Sequence, residues 1–181
     1  LLISERSGSN LLRTLLNNHK DICGPVPPHL MLAFFRRKKY YGDLRTERNK
    51  KRLLEHMLEI VNHPYHDWKL NKKTVMNSDL REVNSIVSSF DHIYSSKAQS
   101  EQKTSYCSKG IHSFDFIDPY RAELKNVKFV HLVRDPRDHF ASWLKRPISN
   151  FTAFDAIKQW RKEQATFIDA VRTRGLDYVS I

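Results

Sequence analysis

Hydrophobic residues fall into two kinds of stretch along this chain, short unbroken runs and longer runs with a helical period. Leu1-Leu2-Ile3 is the first unbroken run, and it stops abruptly at Glu5-Arg6. A Ser-Gly-Ser-Asn turn follows, after which Leu11, Leu12, Leu15 and Leu16 recur at helical spacing. The pattern predicts strand, tight loop, helix. Gly24-Pro25-Val26-Pro27-Pro28 excludes helix until His29, and residues 29–35 read as a short helix or packed segment. Leu54, Met57, Leu58 and Val61 keep an i, i+3, i+4, i+7 spacing, which predicts a one-sided helix ending at His63-Pro64. Leu80, Val83, Val87, Phe90 and Tyr94 predict another over residues 79–95, capped by Asn77 or Ser78, with residues 97–104 as an exposed polar loop.

The second half repeats the alternation. Residues 104–108 read as a short strand closed by Lys109-Gly110, and residues 117–124 as a short helix. Residues 127–133 are nearly continuous apolar sequence, as a buried parallel strand should be. That run stops at Arg134-Asp135-Pro136, where the proline suits a first helical turn. Helices are expected over residues 137–145 and 151–174, the second carrying Phe154, Ile157, Trp160, Gln164, Phe167 and Val171 in register. Trp143, Trp160 and Phe154 read as core rather than as base-stacking platforms. Gly175 ends that helix before a last strand at residues 177–181. Strands separated by helices imply a parallel sheet with helices on both faces. Ligands of such sheets bind beyond the carboxyl ends of the strands, which puts Arg6 and Arg134 on one rim.

Charge sharpens this picture more than length does. The chain has 181 residues and a formal net charge of +11, so an anionic partner is expected: a phosphorylated cofactor, nucleic acid, an acidic glycan or a membrane surface. Much of the charge lies in residues 36–52, which read as a solvated face able to contact an anionic surface. Cys23 and Cys107 are isolated thiols without CxxC spacing, which argues against a disulfide framework or a cysteine zinc site and favours a reducing, cytoplasmic setting. No apolar run reaches the roughly 18 residues of a membrane span. The chain begins without Met inside one strand and ends inside another. It therefore reads as one domain over residues 1–181 truncated at both ends, which leaves a membrane-anchored lumenal form open.

Two stretches carry candidate chemistry. Arg6-Ser7-Gly8-Ser9-Asn10 joins the first strand to the first helix. Free N–H groups at a helix start, a glycine allowing close approach and a cation together suit a phosphate. The plain alternative is a strand-to-helix turn that happens to carry an arginine. Walker A is excluded, because no Gly-Lys-Ser/Thr closes the loop. The second stretch is Val133-Arg134-Asp135-Pro136-Arg137-Asp138-His139-Phe140-Ala141-Ser142. An arginine at a strand end and a hydroxyl two turns along the next helix can hold another phosphate; alternatively Arg134 and Asp138 staple strand to helix. His63-Pro64-Tyr65-His66 and His56-Met57-Leu58-Glu59 lack metal-ligand alignment, and no metal is expected. Asn150-Phe151-Thr152 matches the glycosylation sequon, a match read as chance.

Taken together, R-S-G-S-N-L-L after a first strand and V-R-D-P-R-D with a serine eight residues beyond its arginine resemble the PAPS-dependent sulfotransferase superfamily. The likeness runs from Leu2 to Tyr178. It implies a P-loop-like three-layer α/β/α sandwich with a central parallel sheet. It also implies transfer of a sulfuryl group from PAPS (3′-phosphoadenosine 5′-phosphosulfate) to a hydroxyl or amine, with PAP as product and no metal. The family's 5′-phosphosulfate loop matches Arg6, Ser7, Gly8, Ser9 and Asn10, with Leu11 in the helix behind it. Its 3′-phosphate site matches Arg134 and Ser142. Arg6 would neutralise the leaving group, and Lys109 would contact the transferring sulfonate.

The resemblance leaves the general base open between two histidines. His29 closes the proline loop where many carbohydrate-type members carry a glutamate; Pro27 stands at that glutamate's place here. His112 lies 22 residues before Arg134, near the catalytic histidine of cytosolic members, but without the Lys-Thr-His pattern. His29 is slightly favoured because it follows the phosphosulfate loop directly. The acceptor is expected to be a small molecule, glycan or lipid, with no nucleic acid, held by loops over residues 24–41 and 62–77. A further glycine- and lysine-containing loop that many members fold over the 3′-phosphate is expected to lie beyond this fragment, since no glycine follows Gly175. The competing readings are a non-enzymatic polyanion- or nucleic-acid-binding protein on a degenerate P-loop scaffold and, more weakly, a nucleotide kinase.

Overall fold

The computed structural model describes residues 1–145 and 152–181. Phe151, the expected start of the last helix, and the Asn150-Phe151 part of the sequon lie outside the described residues. Five short strands are present among those described: β1 (Leu2–Ile3), β2 (Ile22–Cys23), β3 (Ser105–Tyr106), β4 (Phe129–Leu132) and β5 (Tyr178–Ser180). β4 lies between β1 and β5, parallel to both, with Leu2 opposite His131 and Val130 opposite Val179. β2 and β3 form a second parallel pair. The Leu1 nitrogen donates to the Ser108 carbonyl at 2.6 Å and the Ile3 N–H to the Ser113 hydroxyl at 3.1 Å. The chain leaving β3 thus runs along the other edge of β1. The result is the expected α/β arrangement, a central parallel sheet flanked by helices.

Helices form where caps and apolar faces agree. In chain order they are α1 (Ser9–Asn17), α2 (Leu30–Phe34), α3 (Glu47–Val61), α4 (Lys72–Met76), α5 (Ile86–Ser100), α6 (Ile117–Glu123), α7 (Pro136–Leu144) and α8 (Ala153–Arg174). α7 opens on Pro136, with the Asp135 carboxylate accepting the Arg137 N–H. α8 opens on a reciprocal Thr152–Asp155 capping box and closes at Gly175, which takes the left-handed conformation at φ 57°. One core gathers Leu53, Leu54, Met57 and Val61 of α3 against Val87, Phe90 and Tyr94 of α5. The other packs Leu2 and Phe129 of the sheet under Phe167 and Ala170 of α8.

Four expectations are corrected. The helix predicted over residues 79–95 begins at Ile86 and runs to Ser100. Leu80 and Val83 are buried, but from an irregular segment, because the Ser85–Ser88 capping box sets the helix start beyond them. The exposed loop expected from residue 97 is helical at first, and its lysines turn inward. Lys97 Nζ donates to the Trp68 carbonyl at 2.9 Å and Lys103 Nζ to the Asn17 carbonyl at 2.6 Å. The buried face of α8 is Ala156, Glu163, Phe167 and Ala170, so Phe154, expected in the core, is exposed at 73%. The basic stretch is likewise not wholly solvated: Lys50 is buried and donates to the Leu80 carbonyl at 2.6 Å.

Candidate active site

The loop between β1 and α1 is built around two left-handed residues. Arg6 has φ 69° and Gly8 φ 93°, and Gly8 caps α1 with its carbonyl accepting the N–H groups of Leu11 and Leu12. A side chain at Gly8 would meet nothing within 4 Å, so space is open beside the helix start. Ser7 and Ser9 are buried while Asn10 and Leu11 are exposed. The Ser7 hydroxyl oxygen is fully enclosed and has no hydrogen-bond partner among the described residues. A buried hydroxyl in that state is worth about 1–3 kcal/mol to whatever group satisfies it.

The second stretch folds directly onto this loop. Arg6 Nε–H donates to the Ser142 hydroxyl at 3.1 Å, and an Arg134 N–H donates to the Arg6 carbonyl at 3.1 Å. Among the described residues no ion pair or hydrogen bond joins the Arg134 and Asp138 side chains. Asp135 instead pairs with Arg137, at 2.7 Å, which holds its carboxyl down at about 2. Lys109 reaches the loop from the other side, its Nζ donating to Asn10 Oδ1 at 2.8 Å. Burial lowers the Lys109 pKa, and the neighbouring positive charge of Arg13 adds to that shift. Three cations from distant parts of the sequence thus surround one loop.

The two histidines occupy different surroundings. His29 and His112 are both left-handed, at φ 52° and 55°, and each starts a helical turn. His29 is partly buried, and its Nδ1 accepts the Ile111 N–H at 3.3 Å. Burial lowers its pKa, helped by the charges of Lys109 and His66, so at neutral pH the ring is uncharged and its hydrogen sits on Nε2. His112 is exposed and lines a small cleft with Phe114, Gln159 and Glu163. Lys109 thus meets the loop at Asn10, His29 lies beside Lys109 and Ile111, and His112 lies beside Glu163 of α8, which holds Ser4.

The segment carrying His29 is fixed by close packing. Gly24 N–H donates to Asn17 Oδ1 at 2.7 Å, and the Arg13 guanidinium donates to the Gly24 carbonyl. Trp68, buried, ties in the loop after α3 by donating its indole N–H to the Val26 carbonyl at 2.8 Å.

A family model described as the sulfotransferase family matches residues 4–178. The chain belongs to the sulfotransferase family. No curated protein and no solved structure matches it. The matched span of this sulfotransferase contains both stretches and both histidines, so sulfuryl transfer is the chemistry to which the site is to be fitted. Among the described residues no three metal-ligating side chains cluster, and no helix is long and apolar enough to cross a membrane. Cys23 and Cys107 are free thiols; burial raises both, Cys23 to about 12, which makes neither a nucleophile.

Two polar residues of the sulfotransferase escape the sequence reading. Glu163 is 8% exposed, takes the Ser4 hydroxyl at 2.5 Å and the Gln159 amide at 2.7 Å, and has its pKa raised by burial. It braces the start of the β1–α1 loop from α8. His139, beneath Ser142 on α7, is buried as well. Both sit at positions where a helical period expects an apolar side chain, and that mismatch was the available signal.

Proposed function

We propose that this sulfotransferase uses PAPS as donor and transfers its sulfuryl group in line to a hydroxyl or amine acceptor. The observation that carries the reading is the convergence of Arg6, Ser142 and Arg134, which brings two anion-binding stretches together at one rim. The residues present fit a nucleotide bearing both 5′ and 3′ charge. The enclosed Ser7 hydroxyl and the open side of Gly8 suit the 5′ group, and Arg134 with Ser142 suits a 3′-phosphate. PAPS supplies the activated sulfonate, and PAP is what remains.

The chain's own groups supply position and charge. The N–H groups at the start of α1 face the anion, Arg6 lies where negative charge grows on the leaving oxygen, and Lys109 is held beside the same loop by Asn10. His29 is the first candidate to take the acceptor proton, because it shares Lys109's surroundings and is uncharged at neutral pH. With Ile111 on Nδ1, proton acceptance at Nε2 requires the ring to move its hydrogen to Nδ1 and release Ile111. His112 is the competing candidate. The acceptor, a small molecule, glycan or lipid, would enter between the segment at residues 24–41 and the loop at residues 62–77, beside the exposed cations of the 36–52 stretch.

Calorimetric titration of PAP against ADP tests the donor assignment. PAP should bind more tightly, and Arg134→Ala should abolish the difference. Equal affinities in the wild-type protein would sink the reading and favour polyanion binding without transfer.

A further inference from the structure

One turn before Ser142, α7 turns a second polar side chain toward the same rim. His139 is 3% exposed. Residues three apart share a helix face, so His139 lies on the face that carries Ser142, which holds Arg6. The two ring nitrogens are unequal. Nε2 accepts the indole N–H of Trp143 at 3.2 Å. An indole nitrogen only donates, so the hydrogen of the neutral imidazole is on Nδ1. Burial, reinforced by the charges of Arg134 and Arg6, keeps that ring neutral by lowering its pKa.

The Nδ1–H so defined is enclosed and has no hydrogen-bond partner among the described residues. A buried donor left unmet keeps its full desolvation cost. Its charged neighbours, Arg134 and Arg6, are donors without any acceptor atom. What this corner lacks is an acceptor, and two guanidinium groups beside it select an anionic one.

We propose that His139 Nδ1–H is a further donor of the anion site, engaged by the 3′-phosphate together with Arg134 and Ser142. The inference rests on the assignment of that phosphate to this rim. Arg6 Nε–H holds the Ser142 hydroxyl, so engagement of the 3′-phosphate requires Arg6 to release Ser142 and a phosphate oxygen to reach His139 Nδ1. His139 is then a specificity residue, reading the phosphate that separates PAP from ADP.

Two substitutions divide the ring's functions. His139→Asn keeps an N–H donor near the Nδ1 position and gives up the partner of Trp143. His139→Gln keeps an acceptor near the Nε2 position and gives up the Nδ1 donor. Titrated with PAP and with ADP, the Asn variant should hold PAP within about threefold of wild type, whereas the Gln variant should lose about 10-fold or more in PAP affinity. ADP affinity should stay constant throughout. A Gln variant that binds PAP as wild type does, or an Asn variant that loses it equally, overturns the proposal. In the wild-type protein, the imidazole Nδ1–H proton resonance should move downfield on saturation with PAP and stay put with ADP. An unmoved resonance at saturating PAP overturns the proposal even if both variants fail to fold. Wild-type protein that binds PAP and ADP alike removes the 3′-phosphate assignment itself, a failure distinct from that of His139.

Discussion

Arg6 donates from Nε to the hydroxyl of Ser142 at 3.1 Å across a sequence separation of 136 residues. The contact joins a loop after β1 to the helix after β4, and it exists because those two strands are hydrogen-bonded neighbours. Arg134 completes the link by donating to the carbonyl of Arg6 itself. The loop after β1 and the stretch carrying Arg134 and Ser142 are therefore tied to one another by two side-chain hydrogen bonds.

Arg6 is expected to act in the reaction more than in binding. Arg6→Ala should lower kcat by about 10²–10³, as removal of one charge-stabilising donor does elsewhere, with PAP affinity falling less than tenfold. Single-turnover rates beside calorimetric affinities would separate the two. If affinity falls as far as rate, Arg6 is only a binding cation.

With His29 as the proposed base, its protonation should set the acid side of the pH profile. Its pKa lies below the ordinary 6.5 because burial and the charges of Lys109 and His66 disfavour the imidazolium. The uncharged, proton-accepting ring is present above that lowered value, so kcat/KM should rise with pH below 6.5 and be level from there to neutrality. His29→Ala should lower the rate by about 10²-fold or more and remove the limb. A variant that keeps full rate and the same limb would move the assignment to His112.

Glu163 makes stability depend on pH in the less familiar direction. Burial raises its pKa, so the fold favours the protonated carboxyl. Its contribution is complete below the unfolded value of 4.5 and declines as pH rises through the raised folded value. Glu163→Gln, which keeps the contacts to Ser4 and Gln159 within reach, should melt a few degrees above wild type at pH 8 and level with it near pH 4. Melting curves that run parallel across this range would show that the carboxylate is ionised without penalty.

Gly24 is required for close approach rather than for conformational freedom. A Cβ there would lie 2.9 Å from the Arg13 carbonyl oxygen and 3.2 Å from Asn17 Cβ, and the first of these is backbone that cannot swing aside. Gly24→Ala should cost about 1–3 kcal/mol. It should also displace the segment leading to His29, raising the acceptor KM more than the PAP dissociation constant. An unchanged melting temperature would show that α1 gives way freely.

The parallel sheet and the two strand-to-helix turns that meet at Arg6 and Ser142 were legible because each depends on local sequence. Apolar runs ending at Arg6 and Arg134 marked strand ends, and Gly8 and Pro136 marked helix starts. What stayed hidden depends on tertiary partners. Leu80 and Val83 carry a helical spacing that burial in an irregular segment satisfies equally well. Lys50, Lys97 and Lys103 look solvated until the carbonyls of Leu80, Trp68 and Asn17 are in place to receive them. Glu163 and His139 are polar residues on inward helix faces, and only the fold reveals that Ser4 waits for one and Trp143 for the other.

Arg6, His29 and His112 share a backbone conformation that favours glycine, and each such residue costs on the order of 1 kcal/mol or more. Glycine at any of the three would relax the chain and delete a side chain that is a candidate for the reaction in the same step. Durability and turnover are therefore opposed at these positions. A population of this protein selected for heat resistance alone would gain glycine at these positions as readily as at Asp67, Lys69 and Gln102, which share the conformation, and would drift toward hardy descendants with a depleted site.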